Sequence, residues 1–243
     1  METALKFDLL GKYAFLKNPE SNTGTEFSFE HLHKPCLLGI LGCILGMNGK
    51  AQLTKEKPDL EYYENLRNIK VSIVPSKPVF NKFKETITDT TGYANDGSTQ
   101  ILDKKILQNV CWTIYILKDS IQEQYWNELC YLLQKHESKY PLYLGNNSYK
   151  AKVDGFEIVN LDEVEDTDDI TITSIFKEEI VEEFNEYTES DMVIPYNLEI
   201  YAPGTLNELT LYEYKWFRFT NLMVTTKDNK NLYSYDNSIL GFI

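Results

Sequence analysis

Residues 110–117 have the sequence VCWTIYIL, which is apolar at nearly every position. β-Branched and aromatic residues dominate this run, and such residues favour strands. The run does not alternate with charged residues, which is typical of a strand that is buried on both faces of a sheet. We therefore predict a sheet with residues 110–117 at its centre.

Three other segments have strand patterns that fit beside this central strand. Residues 5–9 (LKFDL) alternate apolar with charged side chains, as in a half-buried strand. Residues 70–75 have the pattern of a short strand, and residues 153–161 are also strand-like. Together the four segments predict a four-stranded sheet.

A first helix is predicted between Pro35 and Met47, a segment that is almost wholly apolar. Proline suits the first helical turn because its missing amide proton has no intrahelical partner there, and Gly46 can end the helix. Small residues recur at helical spacing and predict a face that lies close against the sheet: Gly39, Gly42, Cys43 and Gly46.

A second helix is predicted after the central strand. Residues 120–123 (SIQE) have the spacing of a capping box, which predicts that the helix begins at Ser120. Apolar residues then recur three or four positions apart and predict the face that covers the sheet: Trp126, Leu129, Leu132 and Leu133.

The order strand, helix, strand, strand, helix, strand is that of an α+β ferredoxin-like (RRM-like) core, which we assign to residues 1–160. The polar stretch 80–109 is too long for a simple connector, so it is either disordered or a functional protrusion. Residues 161–191 form an acidic segment. Residues 192–243 form a β-rich extension with strands within 192–201, 209–226 and 231–235.

Charge is distributed unevenly along the chain. The formal net charge is −13 over 243 residues. Residues 1–156 carry a net charge of +1, whereas residues 157–243 carry −14. Because phosphate binding draws on clustered Lys and Arg, nucleic-acid binding by the first region requires that the acidic segment face away.

The acidic segment is densest between residues 157 and 191, which contain 14 carboxylates and one lysine. We interpret it as a solvated loop followed by a short amphipathic helix. It lacks the residue spacing of a calcium-binding loop, so no metal is expected. An alternative is that this segment faces a basic partner subunit.

Histidines and cysteines indicate no metal or nucleophilic site. His31 and His33 form half of a metal-binding pattern, but no third ligand follows at a sensible spacing, and a solvent-exposed loop is expected. The cysteines lie in apolar segments and are expected to be buried and reduced: Cys36, Cys43, Cys111 and Cys130. With no nucleotide-binding or nucleophile-elbow motif, we expect no cofactor.

The longest apolar run is far shorter than the roughly 20 residues that a bilayer requires. The first residues contain neither a basic region nor a hydrophobic signal sequence. We therefore expect no membrane association and a cytoplasmic protein.

Three stretches carry a family resemblance: residues 5–19 (LKFDLLGKYAFLKNP), residues 34–46 (KPCLLGILGCILG) and residues 140–149 (YPLYLGNNSY). In this order they resemble the CRISPR-associated Cas-five family of the RAMP superfamily, and are most similar to its type I-B branch. The sequence departs from the family pattern at Leu16, where an aromatic residue is common, and at Asn146, where a basic residue is common.

The resemblance implies a non-catalytic subunit of a type I Cascade effector complex in antiviral defence. Such a subunit binds and caps the 5′ handle of the CRISPR RNA and contacts the backbone and large subunits in a hetero-oligomeric ribonucleoprotein complex. It also implies that residues 80–109 form a thumb, a hairpin that lies over the guide RNA.

Candidate RNA-binding residues follow from these motifs, because lysines position the RNA backbone and amides contact splayed bases. In the thumb they are Lys82, Lys84, Lys104 and Lys105. Around the first strand and first helix they are Lys12, Lys17, Asn18, Asn22 and Lys34. In the last motif they are Asn146, Asn147 and Lys150.

Two other function classes remain open. A minority branch of the family resembles metal-independent endoribonucleases that process CRISPR repeats, and the alternative catalytic pair here is His136 with Lys135. The alternative interpretation of this pair is structural, because cationic side chains near the last turn of a helix interact favourably with the helix dipole. The other class is a protein-interaction module that binds no RNA, consistent with the acidic balance and the aromatic C-terminal strands.

Overall fold

The computed structural model describes residues 1–21, 24–54, 59–90, 99–185 and 194–243. The chain has a mixed α+β architecture that is rich in strands, as predicted. The helices are α1 (Lys34–Leu45), α2 (Glu61–Leu66) and α3 (Glu123–Gln134). The strands are β1 (Glu2–Ala14), β2 (Thr25–Phe27), β3 (Val71–Pro75), β4 (Asn81–Asp89), β5 (Gln100–Leu117), β6 (Ala151–Glu163), β7 (Phe176–Lys177), β8 (Val181–Phe184), β9 (Asn197–Leu206), β10 (Tyr212–Thr220), β11 (Val224–Thr226), β12 (Leu232–Tyr235) and β13 (Ser238–Gly241).

The main sheet is built around β5, which is 18 residues long. One side of β5 pairs antiparallel with β1, and β1 pairs antiparallel with β6. On the other side, the second half of β5 pairs with β3 and the first half with β4. Strand β2 pairs in parallel with residues 103–105 of β5, on the edge opposite β4. Residues 110–117 therefore lie in the centre of the sheet, as their sequence predicts.

The core lies between this sheet and the helices. Leu5, Phe7 and Leu9 of β1 are completely buried, which confirms the alternating pattern. From β5 the same core receives Trp112 and Ile114. The helices contribute the predicted apolar residues, among them Leu37, Leu41, Ile44, Trp126, Leu129 and Leu133. At about 1.5–3 kcal/mol for each large apolar side chain, this burial is the main stabilising contribution to the fold.

Helix α1 begins and ends where the sequence predicts, with Pro35 in the first turn and Gly46 in the left-handed conformation after the last. The prediction that its glycine face lies on the sheet is wrong. A methyl group at Gly42 would lie 2.5 Å from the Cβ atom of Tyr62, so this face approaches α2. Helix α2 is a single short element that the sequence patterns did not indicate.

Helix α3 begins at Glu123, so the predicted start at Ser120 is wrong. Ser120 lies in a 3₁₀ turn, where its Oγ accepts a hydrogen bond from the backbone N of Lys70 and donates one to the carbonyl oxygen of Leu117, both 2.8 Å. The hydroxyl is thus engaged between β3 and β5 and does not cap the helix.

Part of the polar stretch 80–109 is an antiparallel hairpin. Strand β4 pairs with the first half of β5 from Asn81↔Gln108 to Asp89↔Gln100. We call these paired residues, 81–89 and 100–108, the β4–β5 hairpin. Gly92, Asn95, Asp96 and Gly97, which marked the turn-rich middle of this stretch in the sequence, lie outside the described residues.

In the described part of the acidic segment, up to residue 185, the predicted amphipathic helix is not present. Residues 178–180 form one 3₁₀ turn, and the chain then extends as β8, which pairs with β11. Val181 is buried there, while Glu182 and Glu183 are exposed. Pairing with β11 provides the backbone hydrogen bonds that a helix would otherwise make within itself. Residues 186–191 of the segment lie outside the described residues.

The C-terminal strands form two small sheets and an extension of the large one. The order β7-β10-β9 makes a three-stranded sheet, and β8 with β11 makes a two-stranded one. The β12–β13 hairpin joins the main sheet at β6. Within the described residues, no helix is long and apolar enough to cross a membrane.

Candidate nucleic-acid interface

Two of the stretches with family resemblance meet at one end of the main sheet. The backbone N of Phe15 donates a hydrogen bond to the carbonyl oxygen of Leu144 over 3.0 Å. A methyl group at Gly11 would overlap Leu144, and one at Gly145 would overlap the carbonyl oxygen of Phe15. Gly145 also has a φ of 81°, which favours glycine. Glycine is therefore required at residue 145, where a methyl group would meet backbone atoms, whereas at residue 11 it would meet the end of the Leu144 side chain.

Beside this junction is an open depression of about 460 Å³ lined by three lysines, Lys12, Lys150 and Lys152, together with Asn109. Its remaining lining comes from β1, β5 and the start of β6: Leu10, Gly11, Val110, Cys111 and Ala151. We call this feature the basic depression.

The charges of the basic depression are largely unneutralised. Within the described part of the chain, neither Lys12 nor Lys150 takes part in an ion pair, and the Nζ of Lys152 lies 3.8 Å from Asp154 with both side chains well exposed. The Nζ of Lys12 lies 5.3 Å from the centre of the Tyr13 ring. Three ammonium groups and an amide around one open depression suit a phosphate or a nucleotide.

Sequence reasoning found Lys12 and Lys150 but missed Asn109 and Lys152. Asn109 of β5 lies opposite Lys12 of β1 in the antiparallel pair. Its φ is 50°, a left-handed conformation that asparagine tolerates better than most residues. The period of two in a strand would have placed Lys152 on the same face as Lys150.

The hairpin lysines are divided between the two faces of the hairpin. Lys84 pairs directly with Lys105, and Lys82 lies two residues away on the same face. Lys104 is one residue from Lys105, so strand alternation puts it on the opposite face. The sequence-predicted set of four therefore does not form a single cluster.

Most of the hairpin lysines are paired with carboxylates. Lys84 Nζ lies 2.7 Å from Asp103 Oδ2, and Lys82 forms an ion pair with Glu30. The hydrogen bond from Lys84 lowers the pKa of Asp103. Any phosphate that binds at these lysines must compete with a carboxylate that is already in place.

Lys17 and Lys104 share one buried carboxylate. Glu26 is 8% exposed, forms an ion pair with Lys17, and has its Oε2 atom 3.8 Å from Lys104 Nζ. The parallel pairing of β2 with β5 sets Glu26 beside Lys104. The one carboxylate of Glu26 thus offsets part of the positive charge of these two candidates.

A small aromatic cluster holds the hairpin to the sheet. Tyr13 lies 5.2 Å from Phe83 and 6.1 Å from Tyr149 between ring centres. The hydroxyl of Tyr149 donates a 2.8 Å hydrogen bond to Glu85 of the hairpin. Burial, with this hydrogen bond, raises the pKa of Tyr149, so it stays a protonated donor.

The asparagine candidates differ in availability. The Oδ1 of Asn18 accepts from the backbone N of Glu20, and the Oδ1 of Asn146 accepts from that of Ser148, so both shape their own turns. Asn147 is exposed. Asn22 lies outside the described residues.

Lys34 is half-buried at the start of α1. Its Nζ donates to the carbonyl oxygen of Ile243 over 3.1 Å. Burial, helped by the nearby Lys177 and Lys215, lowers the pKa of Lys34 to about 8. Its ammonium group therefore links α1 to the last strand region.

His31 and His33 are buried, so the prediction of a solvent-exposed loop is wrong. The Nδ1 of His33 accepts from the backbone N of Cys36 over 3.3 Å and caps α1, and burial lowers the pKa of His33 to about 3. His31 places its Nε2 2.8 Å from the carbonyl oxygen of Pro78 and packs against Phe80. The four cysteines are free and only half-buried, which differs from the full burial expected.

His136 and Lys135 follow α3 but point to different partners. The Nδ1 of His136 lies 3.2 Å from the carbonyl oxygen of Val153 and 4.0 Å from Asp154. Lys135 instead bonds to the hydroxyl of Tyr131 over 2.6 Å. An open depression of about 330 Å³ is lined by His136 with Lys152 and Asp154.

No protein-family model and no curated protein matches the sequence. A CRISPR protein from Archaeoglobus fulgidus has a TM-score of 0.51 at 8% identity, over 98% of this chain and 97% of that one. A chain of a CRISPR RNA-guided surveillance complex gives 0.48 at 13% identity over 92% and 91%. A chain of a Type III-B Cmr-beta complex bound to cognate target RNA and AMPPnP gives 0.49 at 11% identity over 92% and 86%.

At such identities a likeness bears on the fold alone, and the two lower TM-scores are too small to support an inference. From the first comparison we conclude that this chain shares its overall fold with an archaeal CRISPR protein.

Proposed function

We propose that this chain is a non-catalytic RNA-binding subunit of a type I-B-like Cascade effector complex, related to the Cas-five family. In this role it caps the 5′ handle of the CRISPR RNA and contacts the backbone and large subunits in the cytoplasm during antiviral defence. The observation that carries the proposal is the basic depression beside the junction of two family-like stretches.

The topology supports a ferredoxin-like core within residues 1–160. Strands β6, β1, β5 and β3 follow one another in an antiparallel sheet, with α1 between β1 and β3 along the chain and α3 between β5 and β6. This is the order of elements in a split βαβ fold. We propose the β4–β5 hairpin as the thumb within residues 80–109, residues 161–191 as an acidic segment, and residues 192–243 as a C-terminal extension.

In this proposal the RNA backbone lies in the basic depression. Lys12, Lys150 and Lys152 neutralise phosphates, and Asn109 donates to a phosphate or contacts a base edge. The hairpin lysines make a second, weaker set of contacts because carboxylates already pair with most of them.

The test is co-expression with the backbone and large subunits and a repeat-containing precursor RNA. We expect intact handle RNA to co-purify with the assembly, and we expect the triple variant K12A, K150A, K152A to assemble with much less RNA. The matched control is K70A, K118A, K227A, which removes three lysines outside the depression. Equal RNA loss in both variants, or assembly without RNA, would contradict the proposal.

A second candidate function is metal-independent cleavage of the repeat RNA. The observation that favours it is the depression shared by His136, Lys152 and Asp154. There His136 would deprotonate a 2′-hydroxyl and Lys152 would stabilise the developing charge. Lys135, bonded to Tyr131, is not suitably placed for this step. Repeat cleavage by the purified chain that H136A abolishes would establish this function, whereas intact RNA after incubation would eliminate it.

A further inference from the structure

The C-terminal three-stranded sheet exposes a row of aromatic rings. Tyr201 is 47% exposed, Trp216 is 50% exposed and Tyr212 is 40% exposed. The ring of Tyr201 stacks on Tyr214 at 5.0 Å and lies 4.7 Å from Trp216. We call Tyr201, Tyr212, Tyr214 and Trp216 the aromatic face.

Strand alternation in β10 accounts for part of the aromatic face. Phe217 and Phe219 point into the main core, so Trp216 points away, opposite Tyr201 of β9. The register shifts between Glu213 and Tyr214, and the rings of Tyr214 and Tyr212 lie at the edge of the core, near Phe29 and His33. The rings support one another and are already ordered. Large exposed apolar groups that lie side by side mark interaction surfaces more often than isolated ones do.

The turn between β9 and β10 extends this apolar surface. Leu209 is 76% exposed and Leu211 is 58% exposed. On one side of the turn, a depression of about 540 Å³ is lined by Leu60, Tyr62 and Leu211, among others. It also contains Glu20 and Lys50, whose charges balance.

On the other side of the turn, a larger depression of about 780 Å³ is acidic. Its carboxylates come from α2, the residues before it, the β9–β10 turn and the start of β10: Asp59, Glu64, Glu208 and Glu213. The one cation in its lining is Arg67, which already lies 3.4 Å from Glu64. Aromatic rings and a local excess of negative charge thus lie on the two sides of the same turn.

The same sheet already binds one guanidinium group in this way. Arg218 Nη2 lies 2.6 Å from Glu178 and 2.7 Å from Glu199, and its guanidinium carbon lies 5.1 Å from the centre of the Phe184 ring. Carboxylates combined with an aromatic face are well suited to arginine, because the planar cation stacks while its N–H groups donate.

We propose that the aromatic face and the acidic depression beyond the turn together form a docking surface for a basic, arginine-containing segment of a protein partner. Some arginine side chains of this segment would stack on Tyr201 and Trp216, and others farther along it would pair with Glu208 and Glu213. The carboxylates disfavour RNA here because they repel phosphates. None of the lysines proposed to bind RNA belongs to this surface. A variant can therefore lose RNA binding while it keeps partner docking, and the reverse.

Tryptophan fluorescence gives a direct test with the isolated chain. The chain has three tryptophans, and Trp112 and Trp126 are 0% and 5% exposed, so Trp216 alone responds to a surface ligand. The probe is a short synthetic peptide of alternating arginine and leucine. We expect a saturable change in Trp216 emission that weakens as salt rises.

A variant pair separates specific docking from net charge. The double variant E208Q, E213Q keeps the rings and is expected to weaken peptide binding by about threefold or more, given two lost surface charge pairs. The control D166N, D168N also removes two carboxylates, but from the loop after β6, and is expected to bind normally.

Three results would overturn the proposal. One is the absence of any emission change with the arginine peptide. Another is equal weakening in both double variants, which would indicate attraction by net charge alone. The third is a saturable response to oligouridylate that exceeds the response to the peptide, which would make this surface an RNA-stacking platform.

Discussion

The lysines of the basic depression and those of the β4–β5 hairpin differ in their surroundings. In the depression, Lys12 and Lys150 have no ion-pair partner within the described residues. In the hairpin, Lys82, Lys84 and Lys104 each lie near a carboxylate. The number of lysines in a segment thus does not give the positive charge available to a ligand, because strand register determines which acid lies beside each lysine.

The largest expected effect comes from breaking the junction that holds the depression together. G145A combines a left-handed backbone with overlap of the new methyl group and the carbonyl oxygen of Phe15. We expect a loss of about 3–5 kcal/mol in the free energy of unfolding, measured by urea denaturation.

The control for this variant is G24A, which isolates the backbone term. Gly24 also has a positive φ of 77°, but a methyl group there meets nothing within 4 Å. Its expected cost is about 1 kcal/mol. If G145A and G24A lost the same free energy of unfolding, the close approach of Phe15 would not explain the need for glycine at residue 145.

The next effect in size is on RNA affinity. Removing the three depression lysines with K12A, K150A, K152A is expected to make the slope of log affinity against log salt shallower by about 2, since each phosphate contact on a single strand contributes about 0.7. The hairpin triple variant K82A, K84A, K105A removes the same charge but should change the slope by less. Filter binding of a single-stranded handle RNA at several salt concentrations measures both, and equal changes would contradict the comparison.

Local sequence patterns predicted those helices and strands whose own apolar residues are buried in the core. Strand β1 and helix α3 bury apolar residues at a regular period, whereas β3, the second half of β5 and helix α1 are almost continuously apolar. The hairpin was ambiguous because its strands are rich in Thr, Lys and Asp, so they lack the apolar alternation that marks a half-buried strand. The segment around Val181 was misread as a helix because its partner, β11, follows more than forty residues later.

The candidate site was predictable only in part for a similar reason. Lys12 and Lys150 were found because each lies in a recognisable stretch. Lys152 and Asn109 join them only through the pairing of β1 with β5 and β6. Glu26 lies beside Lys104 because β2 pairs in parallel with β5. No local sequence pattern indicates this pairing.

A smaller effect is expected from releasing the paired lysines. E26Q keeps the shape of the side chain but frees Lys17 and Lys104, so RNA affinity should rise by roughly threefold, as for the gain of about one phosphate contact. The control E128Q removes one carboxylate from α3, away from Lys17 and Lys104, and should leave affinity unchanged. Tighter binding in both variants would mean that only total charge matters.

The smallest expected effect concerns how firmly the hairpin is attached. Y149F removes the hydroxyl that donates to Glu85 while keeping the ring beside Tyr13. We expect a loss of about 1 kcal/mol, seen as faster amide exchange in residues 81–89 than in β1. RNA affinity at the basic depression should change less than twofold because none of its lysines is touched. If exchange increased equally in both strands, the hairpin and the depression would open together and the distinction between the two regions would not hold.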